Sequence, residues 1–389
     1  MPRAAQPSPM SPSKGASPRL NLGLLRFAFC LLPFTFSLVS CSPTYVLRAG
    51  YEEAKILWRR EPIERLLQQS DLDAATRSKL ELVLAARSFA RDTLHLRVNG
   101  SYATYARVDA DQVVHVVTAA YRLKLQSYMW WFPIVGRVPY KGYFSKASAD
   151  AEAKCLEEGG YDTSVRPSVA FSTLGWFADP LLSNLLRYDR ATLANVVIHE
   201  LLHNTTYIGG HADFDESFAN FVGHRGALVF LESRGDAAAA RDAAAAWDDA
   251  LQFSDFLGRF TTHLRDAYAS GVTLDERQRL FTAGQEEFRT LALQTAMFRD
   301  FGTQSLNNAV ILEYLMYADQ LRLFEDLLHE HSGDLAETIQ VIVNAVQKHG
   351  GDPFAAVREE QATSGVSPAA LRRETLHKTP DTRSSLCQG

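Results

Sequence analysis

Residues 196–223 read VVIHELLHNTTYIGGHADFDESFANFVG. Two histidines, His199 and His203, stand four positions apart, and Glu200 directly follows the first. On an α-helix that spacing is one turn, so both imidazoles share a face with Cβ atoms about 6 Å apart. Glu200 lies about 100° further round, close enough to reach a water beside an ion held by the histidines. That arrangement suits metal-assisted hydrolysis: the ion acidifies water and a glutamate takes the proton.

The flanking residues set the context. Leu193, Ala194, Val197, Ile198, Leu201 and Leu202 give the helix predicted over 189–205 a wide apolar surface, which buries it on most sides. Polar side chains in such a place need partners. A pair of core histidines satisfied by hydrogen bonds is the alternative reading of the same residues.

A catalytic zinc takes three protein ligands and a water, so a third ligand must come from elsewhere. His211, Asp213, Asp215 and Glu216 are the candidates within reach. A HExxHxxGxxH pattern would need Gly at 206 and His at 209, where this chain has Thr206 and Gly209. NTTYIGGHAD turns the chain, and a second helix is predicted over 214–233 with Phe218, Phe221 and Val222 on its apolar side. Glu216 then falls in the first turn, where the helix dipole favours a carboxylate. It is the best placed of the four, and the ligand-type rule leaves the others open. Asn220, one turn later, is positioned to hydrogen-bond a ligand.

The rest of the chain bounds the possibilities. With 389 residues and 46% hydrophobic composition, it can bury a sizeable core. A formal charge of −5 argues against a broad nucleic-acid footprint, and no nucleic-acid partner is expected. Arg19 and Arg26 precede an apolar run, Phe27–Val39, that is short for a membrane span of about 20 residues. Residues 1–40 therefore read as a secretory signal. The tetrapeptide Leu38-Val39-Ser40-Cys41 resembles a bacterial lipobox, which implies lipidation of Cys41 and a membrane anchor at the mature N-terminus. Ser42 after it favours the outer membrane, facing the periplasm. An exported compartment permits a disulfide between Cys155 and Cys387, although neither has metal-ligand company nearby.

Hydrophobic periodicity predicts helices over 44–69 and 73–94, with Asp71 or Asp73 capping the second. Strand-like blocks follow at 112–119, 121–128, 133–144 and 163–177, the last interrupted by Pro167 and so suited to a sheet edge. A helix is expected over 146–159. Helices then dominate: 189–205, 214–233, 236–269, 275–297, 304–331 and 334–349. The expected architecture is α+β, predominantly helical, with one small mixed sheet. Its divisions are a signal at 1–40, a helical segment at 41–110, a core at 111–233, a helical region at 234–358 packing on that core, and a disordered tail at 359–389.

The HELLH and FDESFANFVG (214–223) stretches, together with PIVGRVPYKGYF (133–144), STLGWFADPLLS (172–183) and SLNNAVILEYLMY (305–317), resemble the bacterial putative aminopeptidase family of gluzincin-type zinc proteins. The resemblance covers nearly all of residues 41–350. It implies a zincin-like catalytic core and one zinc ion bound by His199, His203 and Glu216, with Glu200 as general base and a peptide as substrate. The family usually has Asn where this chain has Asp215, and Tyr where it has Phe171. Val169–Leu174 is the expected edge for strand addition by an extended peptide, which brings Phe171, Ser172 and Thr173 into the candidate substrate site. Tyr207, Tyr314 and Tyr317 are candidates to donate to the oxyanion, with Tyr207 and Tyr317 also placed in the substrate site. The alternatives are an envelope endopeptidase or quality-control protease with the same chemistry, and a non-catalytic scaffold lipoprotein. A scaffold needs no base at position 200.

Overall fold

Alternation within one strand shows how the sheet is placed. In β3 (Val114–Tyr121), Val117 and Ala119 are buried against Ala149 and Ala153 of α3 (Lys146–Glu158). The intervening Thr118 points the other way and donates to Glu313, far along the chain, at 2.6 Å. Successive strand residues face opposite sides, so this sheet is covered by α3 on one face and by a C-terminal helix on the other. The computed structural model describes residues 57–108, 114–132, 136–168 and 178–363.

β3 is the middle strand of an antiparallel sheet, between β6 (Tyr140–Tyr143) and β7 (Tyr161–Ser168). Pro167 lies in β7, the edge strand, where its missing N–H leaves no gap in a ladder on the outer side. β4 (Trp130–Phe132) and β5 (Gly136–Val138) form a separate hairpin. Near the start, β1 (Glu61–Pro62) pairs with β2 (Thr104–Ala106), which pairs in parallel with β8 (Leu181–Leu182). Among the described residues, the expected single sheet is therefore three small ones. The strand expected over 121–128 is instead a turn folded back on the end of β3, with Tyr121 N donating to Gln126 O at 3.1 Å, Tyr128 N to Ala119 O at 2.8 Å and Ala120 bridging Ser127.

Around the sheets lie helices α1 (Ile63–Leu66), α2 (Ala74–Asp92), α4 (Arg190–His203), α5 (Ala212–Ser233) and α6 (Ala237–Ser270). They are followed by α7 (Leu274–Phe288), α8 (Asn308–Ala318), α9 (Leu321–Glu330), α10 (Leu335–His349) and α11 (Pro353–Thr363). Side-chain caps mark several starts: Asp73, Asp189 and Asp236 each accept from the backbone N–H three residues on. Asp236 also pairs with Arg190 at 2.7 Å, joining the start of α4 to the start of α6.

Two long helical expectations are divided in the structure. The helix expected over 275–297 stops at Phe288, and Arg299–Gly302 is a short 3₁₀ turn. Buried Asp249 accepts from the backbone of Gln294 and Thr295 at 2.8 and 2.7 Å, holding that stretch as a loop. The helix expected over 304–331 breaks between α8 and α9, where Asp319 donates its N–H to Ser217 at 3.0 Å and Gln320 takes φ 50°. In both cases a tertiary hydrogen bond outweighs helix propensity. Of the helix expected over 44–69, the stretch 44–56 is outside the described residues, and α1 covers only Ile63–Leu66. Helical structure at the other end continues to Thr363.

Helix α8 is anchored at three points. At its start, Asn307 donates to Thr163 O at 2.9 Å and Asp162 accepts from Asn308 N at 3.0 Å. In its middle, Glu313 accepts from Thr118 and, at 3.1 Å, from Ser164. At its end, Ser217 and Asn220 of α5 hold the carbonyls of Met316 and Tyr317 at 3.1 and 2.8 Å. The sheet and α5 thus set the position of Tyr317 together.

Candidate metal centre

Helix α4 presents the two histidines. Asp189 caps it, accepting from Thr192 N at 2.8 Å, and its apolar residues Leu193, Val197, Ile198 and Leu201 are fully buried. The His199 and His203 rings stand 5.1 Å apart, edge to face. The chain leaves α4 through residues 204–211, with Gly210 at φ +92°, and enters α5. Both Asp215 oxygens accept from Ile208 N, at 3.0 and 3.1 Å, which fastens that turn to the first turn of α5.

The two helices approach closely because α5 carries Gly223 and Gly226. A Cβ at Gly223 would meet Asn195 Oδ1 at 2.2 Å and both the Asn195 carbonyl and His199 Cβ at 3.0 Å. One at Gly226 would meet Ile198 Cγ2 at 2.9 Å. This contact brings Glu216 across to α4. Glu216 Oε2 lies 3.3 Å from His199 Nε2 and 3.8 Å from His203 Nε2.

Among the described residues, His199, His203 and Glu216 form the one group of this kind, its ligand atoms all within 4.8 Å of one another. His211 precedes α5, Asp213 accepts from the neighbouring Phe214 N at 3.0 Å, and Asp215 is engaged with Ile208. Donors about 2.1 Å from a tetrahedral zinc stand about 3.4 Å apart, which matches the shortest distance here. A second observation fits the same group. Glu200 Oε2 is buried and has no hydrogen-bond partner, an arrangement that costs stability unless something polar comes to it.

The electrostatics follow from packing one carboxylate against two imidazoles. Burial alone would lower the His203 pKa, but Glu216, then Glu200 and Asp215, reverse it and raise it to about 9. Burial would raise that of Glu216, but His203 and His199 hold it well below the usual carboxylate range. Asp215 is pushed up to about 7, first by burial, against the Ile208 N–H bond and His203, with Glu216 and Asp213 adding to the rise. His224, further along α5 with its ring tilted against that of Trp247 at 5.6 Å, is lowered to about 4 by burial and by His199.

A ring of hydroxyls surrounds the cluster. The Tyr317 ring lies 6.5 Å from that of His199, and its hydroxyl pKa is raised by Glu216, by burial and by Glu200, against Arg166. Tyr140 of β6 is half-buried, and its pKa is raised by desolvation and then by Glu216, Tyr317, Tyr207 and Glu200. Tyr207, in the α4–α5 turn, is raised by burial, Asp215 and Glu216. Tyr314 packs edge to face against Phe253 and Phe301 and accepts from Gln304 at 2.8 Å. Asn220 does not bond a member of the cluster: it is committed to the Tyr317 carbonyl. Cys41 and Phe171, Ser172 and Thr173 lie outside the described residues, as do Val169–Leu174 and Cys387, and Cys155 is a free, exposed thiol.

Sequence reasoning missed Tyr140 and Arg166. Tyr140 pairs across the sheet with Thr118, and Thr118 with Ser164, so these share the face turned to α8. Arg166, two positions beyond Ser164, lies over the Tyr317 ring at 5.9 Å and is acted on by Glu216. Period-two alternation in TSVRPS would have paired Ser164 with Arg166, but not told which way the face pointed.

Fold and cluster together define an α+β protein built around a pair of histidines, one buried and one half-buried, and a glutamate carried by adjacent helices. Residues 44–351 match the model of a family described as "Putative aminopeptidase". The chain belongs to that family, whose description places it among peptidases and makes a peptide the substrate class. No curated protein and no solved structure matches the chain.

Proposed function

We propose that the protein is a zinc-dependent metallopeptidase with a zincin-like core, acting as an aminopeptidase. The observation that carries this reading is the convergence of His199, His203 and Glu216 beside the unpartnered oxygen of Glu200. His199 and His203 supply two imidazoles and Glu216 one carboxylate, a donor set suited to zinc with an open position. Zinc held there supplies a Lewis acid that brings water's pKa towards neutrality.

The chain's own groups account for the proton transfers. Glu200 takes the proton of the attacking water and passes it to the leaving amine. Tyr317 and Tyr140 hydroxyls, kept protonated by their surroundings, donate to the oxyanion that develops on the peptide carbonyl. Burial of the cluster excludes bulk solvent and strengthens each of these interactions.

The test is a zinc determination with peptide assays on the purified chain and Glu200→Gln. One zinc per chain, with hydrolysis lowered about 10²- to 10⁴-fold in the variant, is the expected result. Failure to bind zinc after loading would remove the metal centre. Bound zinc with no hydrolysis traceable to Glu200 would favour a scaffold, and cleavage confined to internally quenched peptides would favour an endopeptidase.

We infer from the leader and Cys41 that the protein is exported, lipidated and held at the outer membrane facing the periplasm. No helix among the described residues is long and apolar enough to cross a membrane. Membrane fractionation of the chain beside Cys41→Ala tests the anchor, which predicts release of the variant into the soluble fraction.

A further inference from the structure

Arg166 is a cation that β7 brings to the rim of the metal centre. Its side chain is 37% exposed, whereas Glu313 beneath it is 12% exposed. Glu313 is largely occupied from below: Oε1 accepts from Thr118 at 2.6 Å and Oε2 from Ser164 at 3.1 Å. Its contact with Arg166 is to Nε, at 3.6 Å. On the other side the guanidinium lies over the Tyr317 ring and interacts with the Tyr317 hydroxyl.

A guanidinium carries five N–H donors in a planar fork. Glu313 faces the Nε edge and Tyr317 takes a further interaction, so among the described residues the fork keeps donors for a third partner. The grip from Glu313 and Tyr317 also fixes the plane of the fork before anything binds, which lowers the ordering cost of binding. A planar, preset Nη pair is suited to a carboxylate held bidentately.

Position and charge narrow the partner further. Arg166 lies 5.9 Å from the centre of the Tyr317 ring, that ring lies 6.5 Å from the ring of His199, and Glu216 of the cluster acts on the guanidinium. An extended peptide advances about 3.4 Å per residue, and these two distances span at most about 12 Å, so a group near Arg166 belongs to one of the few residues nearest the cleaved bond, not to a distant one. Of the carboxylates around the cluster, Glu216 faces both histidines while also acting on Arg166, Asp215 holds Ile208, and Glu313 holds two hydroxyls.

Resting on the peptidase reading above, we propose that Arg166 binds a substrate carboxylate next to the scissile bond, which makes short peptides with a nearby negative charge the preferred substrates. That charge has two chemical sources, a free C-terminus one residue past the cleaved bond or an acidic side chain there. Arg166 is then a specificity residue that touches substrate, with Glu313 positioning it.

The experiment compares alanyl-alanine, its C-terminal amide and alanyl-aspartate amide on the full zinc-loaded chain, beside Arg166→Met and Arg166→Lys. The dipeptide is expected to exceed its amide by about 30-fold or more in kcat/KM, chiefly through KM. In Arg166→Met the preference collapses to within about threefold, and Arg166→Lys restores part of it. Recovery with alanyl-aspartate amide assigns the side-chain source, and no recovery assigns the C-terminus. Calorimetric binding of the dipeptide and its amide to Glu200→Gln gives the same preference without turnover. Equal kcat/KM for dipeptide and amide in the unmodified protein would overturn the assignment, as would equal loss on both in Arg166→Met. If no peptide is hydrolysed at all, the peptidase reading fails, and equal binding of dipeptide and amide to Glu200→Gln would then overturn the Arg166 assignment separately.

Discussion

Asn220 donates its side-chain amide to the carbonyl of Tyr317 at 2.8 Å, so the helix that carries Glu216 also holds the tyrosine that faces His199. Glu216 and Asn220 lie one turn apart on α5, and the two tasks share a single rigid element. Movement of α5 would displace the carboxylate and the phenol together.

Asn220→Ala separates them. Losing this hydrogen bond costs about 1 kcal/mol and leaves the Tyr317 carbonyl short of a partner. Zinc content is expected to stay at one per chain while kcat falls about tenfold, approaching Tyr317→Phe. Metal analysis with steady-state kinetics checks it; a parallel loss of zinc would show that Asn220 supports the cluster instead.

Gly223→Ala attacks the crossing of α4 and α5. The new methyl would sit 3.0 Å from the Asn195 carbonyl and from His199 Cβ, neither of which can rotate away. Overpacking of this kind costs about 1–3 kcal/mol and pushes His199 from Glu216. The thermal midpoint should drop and the zinc affinity with it. An unchanged midpoint would mean that the helices separate at no cost.

If the cluster holds zinc as proposed, His203 should make its uptake depend on pH. With its pKa raised to about 9 in the metal-free protein, it must lose a proton before it can bind an ion. Affinity should therefore rise about tenfold per pH unit between pH 6.5 and 9, then level off. For the metal-free fold the sign is opposite: a histidine raised above its unfolded value stabilises fully below about pH 6.5, and that contribution is lost as pH rises through about 9. Chelator competition and metal-free melting curves measure the two slopes.

Asp215→Asn should stabilise the metal-free protein at neutral pH. The Asp215 carboxyl is raised from 3.8 to about 7, so the folded state binds a proton that the unfolded state has released. Stability is thus lost as pH rises from about 4 to 7, with a ceiling of about 4 kcal/mol. Asparagine keeps an acceptor for Ile208 N without the buried charge, and a higher melting temperature at pH 8 than at pH 4, relative to the parent, is expected. A lower melting temperature at pH 8 would indicate that the charge itself holds the turn.

Much of the centre was legible in residues 196–223. The one-turn spacing of His199 and His203, the buried apolar surface around them and the second helix at Glu216 are local features, set by periodicity and by which residues favour helix starts. Capping by Asp73 was equally local, since the acceptor reaches only three residues along the chain. The ends of α7 and α8 were not local. They are set by Asp249 and Ser217, whose partners lie far away in sequence.

The sequence by itself determined that two imidazoles and a glutamate would share a helix, and that a carboxylate-bearing helix would follow within reach. Only the tertiary structure decided that Glu216, not His211, Asp213 or Asp215, meets the histidines, because Gly223 and Gly226 set how closely and at what height α5 crosses α4. It alone brought Tyr140, Arg166 and Tyr317 to the same centre from β6, β7 and α8. Periodicity says which face a residue occupies, whereas which faces meet depends on packing between elements distant in the chain.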